Sequence, residues 1–266
     1  MNWNETYERL NQMLRLRTRP IALKLLAEEK MPEGAERAEG PRNLCQITAL
    51  ARYYGKAVYF TQEDMCCIIG SVALGFEPAT PAMESGEIAE VIYKDQEAAR
   101  RFVDAAYKIP PGKFKAAVVA PLGQDKVTFD PDQLIIYANT AQVDRLIQGW
   151  KWAKGERLKL DLGGEYGVCS DAIAQCHVKN STVVVIPCWG DRLHAMALDD
   201  ELILAIPGDQ IDTVMHGLQK SEIPWFSNYP VMYTGINHTP IWDYEEHYLT
   251  ERMLKMKKEK SNCNVY

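Results

Sequence analysis

Seven cysteines stand in this 266-residue chain, and four of them lie where the local sequence starts a helix or ends a strand. Cys45 follows Arg42-Asn43, Cys67 opens Cys-Ile-Ile-Gly, Cys169 follows the turn at Gly163-Gly164, and Cys188 closes a strand in Pro187-Cys188-Trp189-Gly190. The thiolate is the form that binds soft metals, and it forms most readily where a helix N-terminus supplies positive potential. Repeated placement at element ends points to ligation of a metal or cluster more than to packing. The opposing reading stays open, because free cysteine is among the most buried residue types.

Spacing narrows the kind of site. Zinc sites usually announce themselves as two close Cys or His pairs, and ferredoxin-type clusters as a short run of cysteines. This chain has neither: Cys66 and Cys67 are adjacent, Cys169 and Cys176 share one helix face, and the other gaps are long. Any centre must be assembled from distant segments. The histidines at 177, 194, 216, 238 and 247 form no ligand pair. His194, closest to the Cys188 turn, is a candidate proton shuttle against the plainer reading of a structural imidazole. Arg192 is a candidate for holding an anionic substrate through its planar fork, against a surface ion pair. Lys24, on an apolar segment, needs a partner or ligand unless its stem lets the ammonium reach water. Neither a glycine-rich phosphate loop nor a serine nucleophile elbow is present.

The elements that must position these residues can be read from capping and periodicity. A helix is expected over 4–17, ended by Arg19-Pro20, and a buried strand over 21–26. Asn43 caps a helix from Leu44 to Tyr54 with Gly55 as its stop, placing Cys45 in the first turn. After a strand over 57–60, Thr61 starts a helix running through Cys67 to Leu74. Two helices are expected over 78–107, strands over 116–121 and 134–137, and a helix from Thr140 to Lys154. Cys169 falls near the start of a helix from Tyr166 to His177; a β-branched strand over 182–186 delivers Cys188 to a tight Trp-Gly turn. A strand over 201–206 and a helix from Asp209 through Leu218 complete the core. Strands and helices alternate irregularly, so the expected class is α+β: a single compact domain of mixed sheet and helices over 1–220, its halves meeting near Pro110. Residues 221–266 read as an aromatic-rich strap, with Trp225, Phe226, Tyr229, Tyr233, Trp242 and Tyr244, and a frayed tail.

Composition excludes several functions. A net charge of −6 argues against a nucleic-acid partner. The N-terminus lacks a signal-peptide pattern and no apolar run reaches the roughly 18 residues of a membrane span, so a cytoplasmic protein is expected. In a reducing compartment the cysteines are free thiols, ligands or nucleophiles rather than a disulfide frame.

Over roughly residues 15–210 the chain resembles a prokaryotic family, domain of unknown function 169. Pro20-Ile21-Ala22-Leu23-Lys24 resembles its Pro-x-Ala-x-Lys strand; Cys45 with Ala49 and Gly55 resembles its first cysteine helix, and Cys67-Ile68-Ile69-Gly70 with Leu74-Gly75 its second. Gln142 and Cys169 occupy matching positions, and Pro187-Cys188-Trp189-Gly190-Asp191-Arg192, with Asp200-Glu201 and Ile206-Pro207, resembles its strand-turn-strand close. The resemblance implies an architecture and candidate sites rather than an activity, and it selects Cys45, Cys67, Cys169 and Cys188. Four thiolates suit a 4Fe-4S cluster and also zinc. Cys66 beside Cys67 leaves the second ligand ambiguous by one residue, while Cys176 and Cys263 match no family position. The favoured expectation is an iron-sulfur protein acting in electron transfer or small-molecule transformation, as an oxidoreductase or lyase, with a redox partner protein or a small substrate. The alternative is a zinc-stabilised or metal-free binding module.

Overall fold

The computed structural model describes residues 2–222, 229, 230 and 255. Its strands are β1 (Ile21–Leu26), β2 (Glu36–Arg37), β3 (Val58–Thr61), β4 (Ala116–Pro121), β5 (Gln133–Asn139), β6 (Val183–Val185) and β7 (Glu201–Pro207). The helices are α1 (Trp3–Leu14), α2 (Leu44–Tyr54), α3 (Ile68–Ala73), α4 (Pro81–Glu84), α5 (Gln96–Ala105), α6 (Thr140–Lys154), α7 (Gln175–Lys179), α8 (Trp189–His194) and α9 (Ile211–Lys220). Val168–Ala174 form a π-helical segment that runs into α7.

The strands make one sheet in the order β2-β3-β4-β1-β5-β7-β6. All neighbours are antiparallel except β2 with β3. β1 lies between β4 and β5, so the sheet continues across Pro110, and the halves expected to meet there share one set of backbone hydrogen bonds. The result is a single α+β domain with a mixed sheet.

Alternation along the central strands divides the interior in two. On β5 and β7, Leu134, Ile136, Leu204 and Ile206 face a core shared with α1, α6 and α9. Ile135, Tyr137, Ile203 and Ala205 face the other, shared with α2, the π-helical segment and α7. Because both faces are covered, these strands read as unbroken apolar runs in the sequence.

Capping fixes the helix starts. Asn43 Oδ1 accepts from Gln46 N at 2.7 Å while Gln46 Oε1 accepts from Asn43 N at 3.0 Å, a reciprocal pair that satisfies two donors at the start of α2. Asn139 and Gln142 repeat the device on α6, and the Gln142 amide also donates to Leu14 O at 2.8 Å. Gln142 therefore ties α6 to α1.

Two local expectations are corrected. The helix expected from Thr61 through Cys67 is split: Gln62–Asp64 form a 3-10 turn, Met65 and Cys67 are extended, and Cys67 is the N-cap of α3. The turn is closed early because the Asp64 carboxylate accepts from Thr61 N at 2.9 Å and Arg37 Nε at 3.0 Å. The tight turn expected at Trp189-Gly190 is instead the first turn of α8, capped by Cys188. Apart from Tyr229, the aromatic strap, the tail, Cys263, His238 and His247 lie outside the described residues.

α6 and α9 cross at glycine. A Cβ on Gly217 would lie 2.0 Å from Gly149 O, and one on Gly149 would lie 2.7 Å from Val214 O. Gly217→Ala should therefore lower unfolding free energy by about 1–3 kcal/mol, the usual cost of overpacking a closed contact. Urea denaturation measures it, and an unchanged midpoint would mean the helices separate freely at this crossing.

Candidate metal centre

Each of the four selected cysteines sits at the beginning of a helical element. Cys45 is the second residue of α2, Cys67 caps α3, Cys169 is the second residue of the π-helical segment, and Cys188 caps α8. The sheet sets the distances between these starts: α2 packs against α8, and α2 and α3 both pack against the π-helical segment.

The side chains converge. The sulfurs of Cys45 and Cys188 both lie beside Gly190, and Cys45 is within electrostatic reach of Cys188 and of the Asp191 carboxylate. Cys169 lies within electrostatic reach of Cys188, Asp191 and Cys67. Its thiol donates to Tyr166 O at 3.0 Å. A Cβ placed on Gly190 would stand 3.5 Å from Cys45 Sγ and 3.6 Å from Cys188 Sγ. That is ordinary contact, so Gly190 relieves no clash; its missing side chain leaves open space beside two sulfurs.

Asp191 organises the group. Its side chain is wholly buried, and Oδ2 accepts from Cys188 N at 3.0 Å and Val168 N at 3.1 Å. Oδ1 accepts from Tyr137 Oη at 3.3 Å, and the Asp191 N–H caps the Cys188 sulfur. One carboxylate thus fastens the Cys188 turn to the segment that carries Cys169. A Cβ on Gly167 would fall 1.8 Å from Oδ2, so only glycine permits this approach.

Behind Asp191 lies a second buried layer. The Arg52 guanidinium stacks 3.5 Å from the Tyr137 ring centroid. It donates to Thr18 Oγ1 at 3.1 Å, Ala195 O at 3.0 Å and Glu201 Oε2 at 3.0 Å. Glu201 Oε2 also accepts from Leu198 N at 2.9 Å. Breaking such a buried pair from one side leaves an uncompensated charge, which holds these residues in place.

Electrostatics favours the protonated form of the Cys45 and Cys169 thiols. Contact with Cys188, then burial and the nearby Asp191, push the Cys45 thiol well above its ordinary range. Burial, then Cys188 and Asp191, do the same to Cys169. Burial also raises Asp191 against the pull of its N–H donors. Among the described residues, no group of three or more His, Cys, Asp or Glu side chains is arranged to hold a metal ion as the side chains stand. The donor set nonetheless fits a thiolate-bound group in its chemistry: soft sulfur ligands from four segments, with open space at Gly190. Binding would displace thiol protons.

The other expectations divide. Cys66 is exposed, while Cys67 is half-buried and lies within electrostatic reach of Cys169. Cys176 is buried in the apolar core, where desolvation raises its thiol. Arg192 does not reach toward the sulfurs for a substrate: it donates to Leu198 O at 3.3 Å and to the fully exposed Asp199 at 3.1 Å, which gives it a structural role in the surface loop. His194 is exposed at the end of α8. Lys24 donates to Asp130 O at 2.7 Å with Asp132 at 3.7 Å, so it needs no ligand. Sequence reasoning missed Asp191, Arg52, Tyr137 and Glu201. The available signals were a charged residue inside the apolar pattern of α2 and an acid three residues after Cys188.

A family model described as DUF169, uncharacterised ArCR, matches residues 9–217. An uncharacterized protein of Methanocaldococcus jannaschii, MJ0308, is 27% identical over 225 residues, covering 83% of this chain and 95% of that protein. No solved structure matches.

Asp171, beside Cys169 and buried, gives a pH signature. It accepts from Gly164 N at 3.0 Å, but burial dominates and raises its carboxyl to about 6. A raised folded-state value means its stabilising contribution is full below about pH 4, the unfolded value, and is lost as pH rises through 6. In metal-free protein the stability of Asp171→Asn relative to wild type should rise by on the order of 2 kcal/mol between pH 4 and 8. Denaturant titrations across that range would measure it, and a pH-independent difference would contradict the buried carboxyl.

Proposed function

The chain belongs to the DUF169 family, and from that premise we propose that it is an iron-sulfur protein in which Cys45, Cys67, Cys169 and Cys188 hold a 4Fe-4S cluster. The observation that carries this reading is the approach of Cys45 and Cys188 at Gly190, with Cys169 in electrostatic reach of Cys188, Asp191 and Cys67 and each cysteine at a helix start. A bound cluster supplies one-electron chemistry, or Lewis acidity where an iron has an open position. The protein's own part is to hold and shield it. Cys45 and Cys188 come from α2 and α8, and Cys67 and Cys169 from α3 and the π-helical segment, so two ligands precede Pro110 and two follow it.

The surrounding groups support the thiolate form. The Asp191 N–H already donates to the Cys188 sulfur at the start of α8. Arg42 Nε, three residues before Cys45, is buried without an acceptor among the described residues. Asp191 fixes the Cys188 and Val168 backbones and so limits where the two C-terminal ligands can stand. The close contact of Cys45 with Cys188 favours a second reading, zinc, because thiolates about 2.3 Å from one ion must nearly touch. Metal analysis separates the two.

Protein purified without oxygen should be brown and contain about four iron and four labile sulfide per chain. Cys45→Ala, Cys67→Ala, Cys169→Ala and Cys188→Ala should each lose most of the iron, whereas Cys176→Ala keeps it. Gly190→Ala is the sharper probe: its methyl makes only ordinary contacts with the thiols, so the variant should fold normally, yet occupy the space beside two sulfurs and reduce iron content. Colourless protein with stoichiometric zinc would replace the first reading by the second. Full iron in all four ligand variants would end both.

A further inference from the structure

On the sheet face opposite the cysteines, α1, α6 and α9 border a cavity of about 420 Å³, within the size range of small-molecule sites. Arg145 of α6 lines it with only 3% of its surface exposed. Its Nη1 donates to Gln148 Oε1 at 2.8 Å and Ser221 Oγ at 3.3 Å, and Nη2 to Leu218 O at 3.0 Å. All three acceptors are neutral. These bonds leave two of the five guanidinium donors for another partner. No carboxylate makes an ion pair with Arg145 among the described residues. Burial pulls the guanidinium below its ordinary range against the opposing charges of Glu222 and Asp144. A buried cation with no carboxylate in direct contact is costly, and a ligand carboxylate would relieve that cost.

A simple anion is not the best match. Glu222 lines the same cavity from its exposed rim and likewise has no ion-pair partner among the described residues. Arg9, the other cation on the wall, is already paired with Glu5. The cavity therefore presents a guanidinium inside and a carboxylate on its rim that feel each other's charge without forming an ion pair. Gln12 and Gln219 supply amides between them, and Tyr229, whose oxygen accepts from Asn139 Nδ2 at 3.0 Å, keeps its hydroxyl proton to donate. We propose that this cavity binds a small zwitterion of the amino-acid type, its carboxylate against Arg145 and its ammonium against Glu222. The site is independent of the metal centre, since its lining comes from the other core.

Isothermal titration of the full chain with the common L-amino acids tests it, with acetate, methylammonium and inorganic phosphate as single-charge controls. At least one amino acid should bind saturably, and each control should bind roughly tenfold more weakly or not at all. Glu222→Gln, at an exposed position, should weaken binding roughly tenfold, and Arg145→Lys should do the same by losing the fork. Cys45→Ala should leave binding unchanged, which separates this site from the cysteine reading. No binding by any amino acid in the millimolar range, unaltered affinity in Glu222→Gln, or acetate or phosphate binding as tightly as the amino acids would overturn the proposal.

Discussion

The buried Asp191 carboxylate is the constraint on which the cysteine region depends. A charge-bearing group with no exposed surface must have its lone pairs answered, and here backbone N–H groups of Val168 and Cys188, the Tyr137 hydroxyl and the Cys45 thiol answer them. Those donors come from four segments far apart in sequence. Satisfying one carboxylate therefore fixes where α2, β5, the π-helical segment and α8 meet. Tyr137 is held in turn by the Arg52 guanidinium on its ring, and Arg52 by Glu201. The cysteines are arranged at the end of a polar chain that crosses the core, and each link is costly to break from one side.

The sheet supplies the other half of the geometry. With β1 inserted between β4 and β5, the N-terminal cysteines on α2 and α3 are laid over strands from both parts of the chain. The long sequence gaps between the cysteines become short distances only because of this topology. A centre built this way differs from a zinc ribbon or ferredoxin loop, whose ligands are mostly close in sequence. A group bound there would join elements from both parts of the one sheet, which would couple occupancy to global stability.

Much of this was legible in the sequence where the physics is local. Asn43 with Gln46, Gly55, and Asn139 with Gln142 mark helix ends through caps that need only neighbouring residues, and the apolar runs of β1, β4 and β5 announce buried strands. The placement of Cys45 and Cys169 near helix starts was legible for the same reason. The split at Met65–Cys67 was not, because Asp64 is captured by Arg37, which is distant in sequence. Asp191 and the Arg52–Glu201 pair were equally hidden: a single acid or arginine gives no periodic signal, and its meaning depends on partners brought by the fold. Arg192 misled for the opposite reason, since its position after Cys188 promised a substrate contact while Asp199 was nearer at hand.

The most direct test is a crystal structure of protein prepared without oxygen, with anomalous data collected on both sides of the iron absorption edge. A four-cysteine centre predicts one iron-specific density bounded by the Sγ atoms of Cys45, Cys67, Cys169 and Cys188, beside Gly190. Iron density bound elsewhere, or Cys169 still hydrogen-bonded to Tyr166 with no iron among the four sulfurs in iron-replete protein, would contradict it.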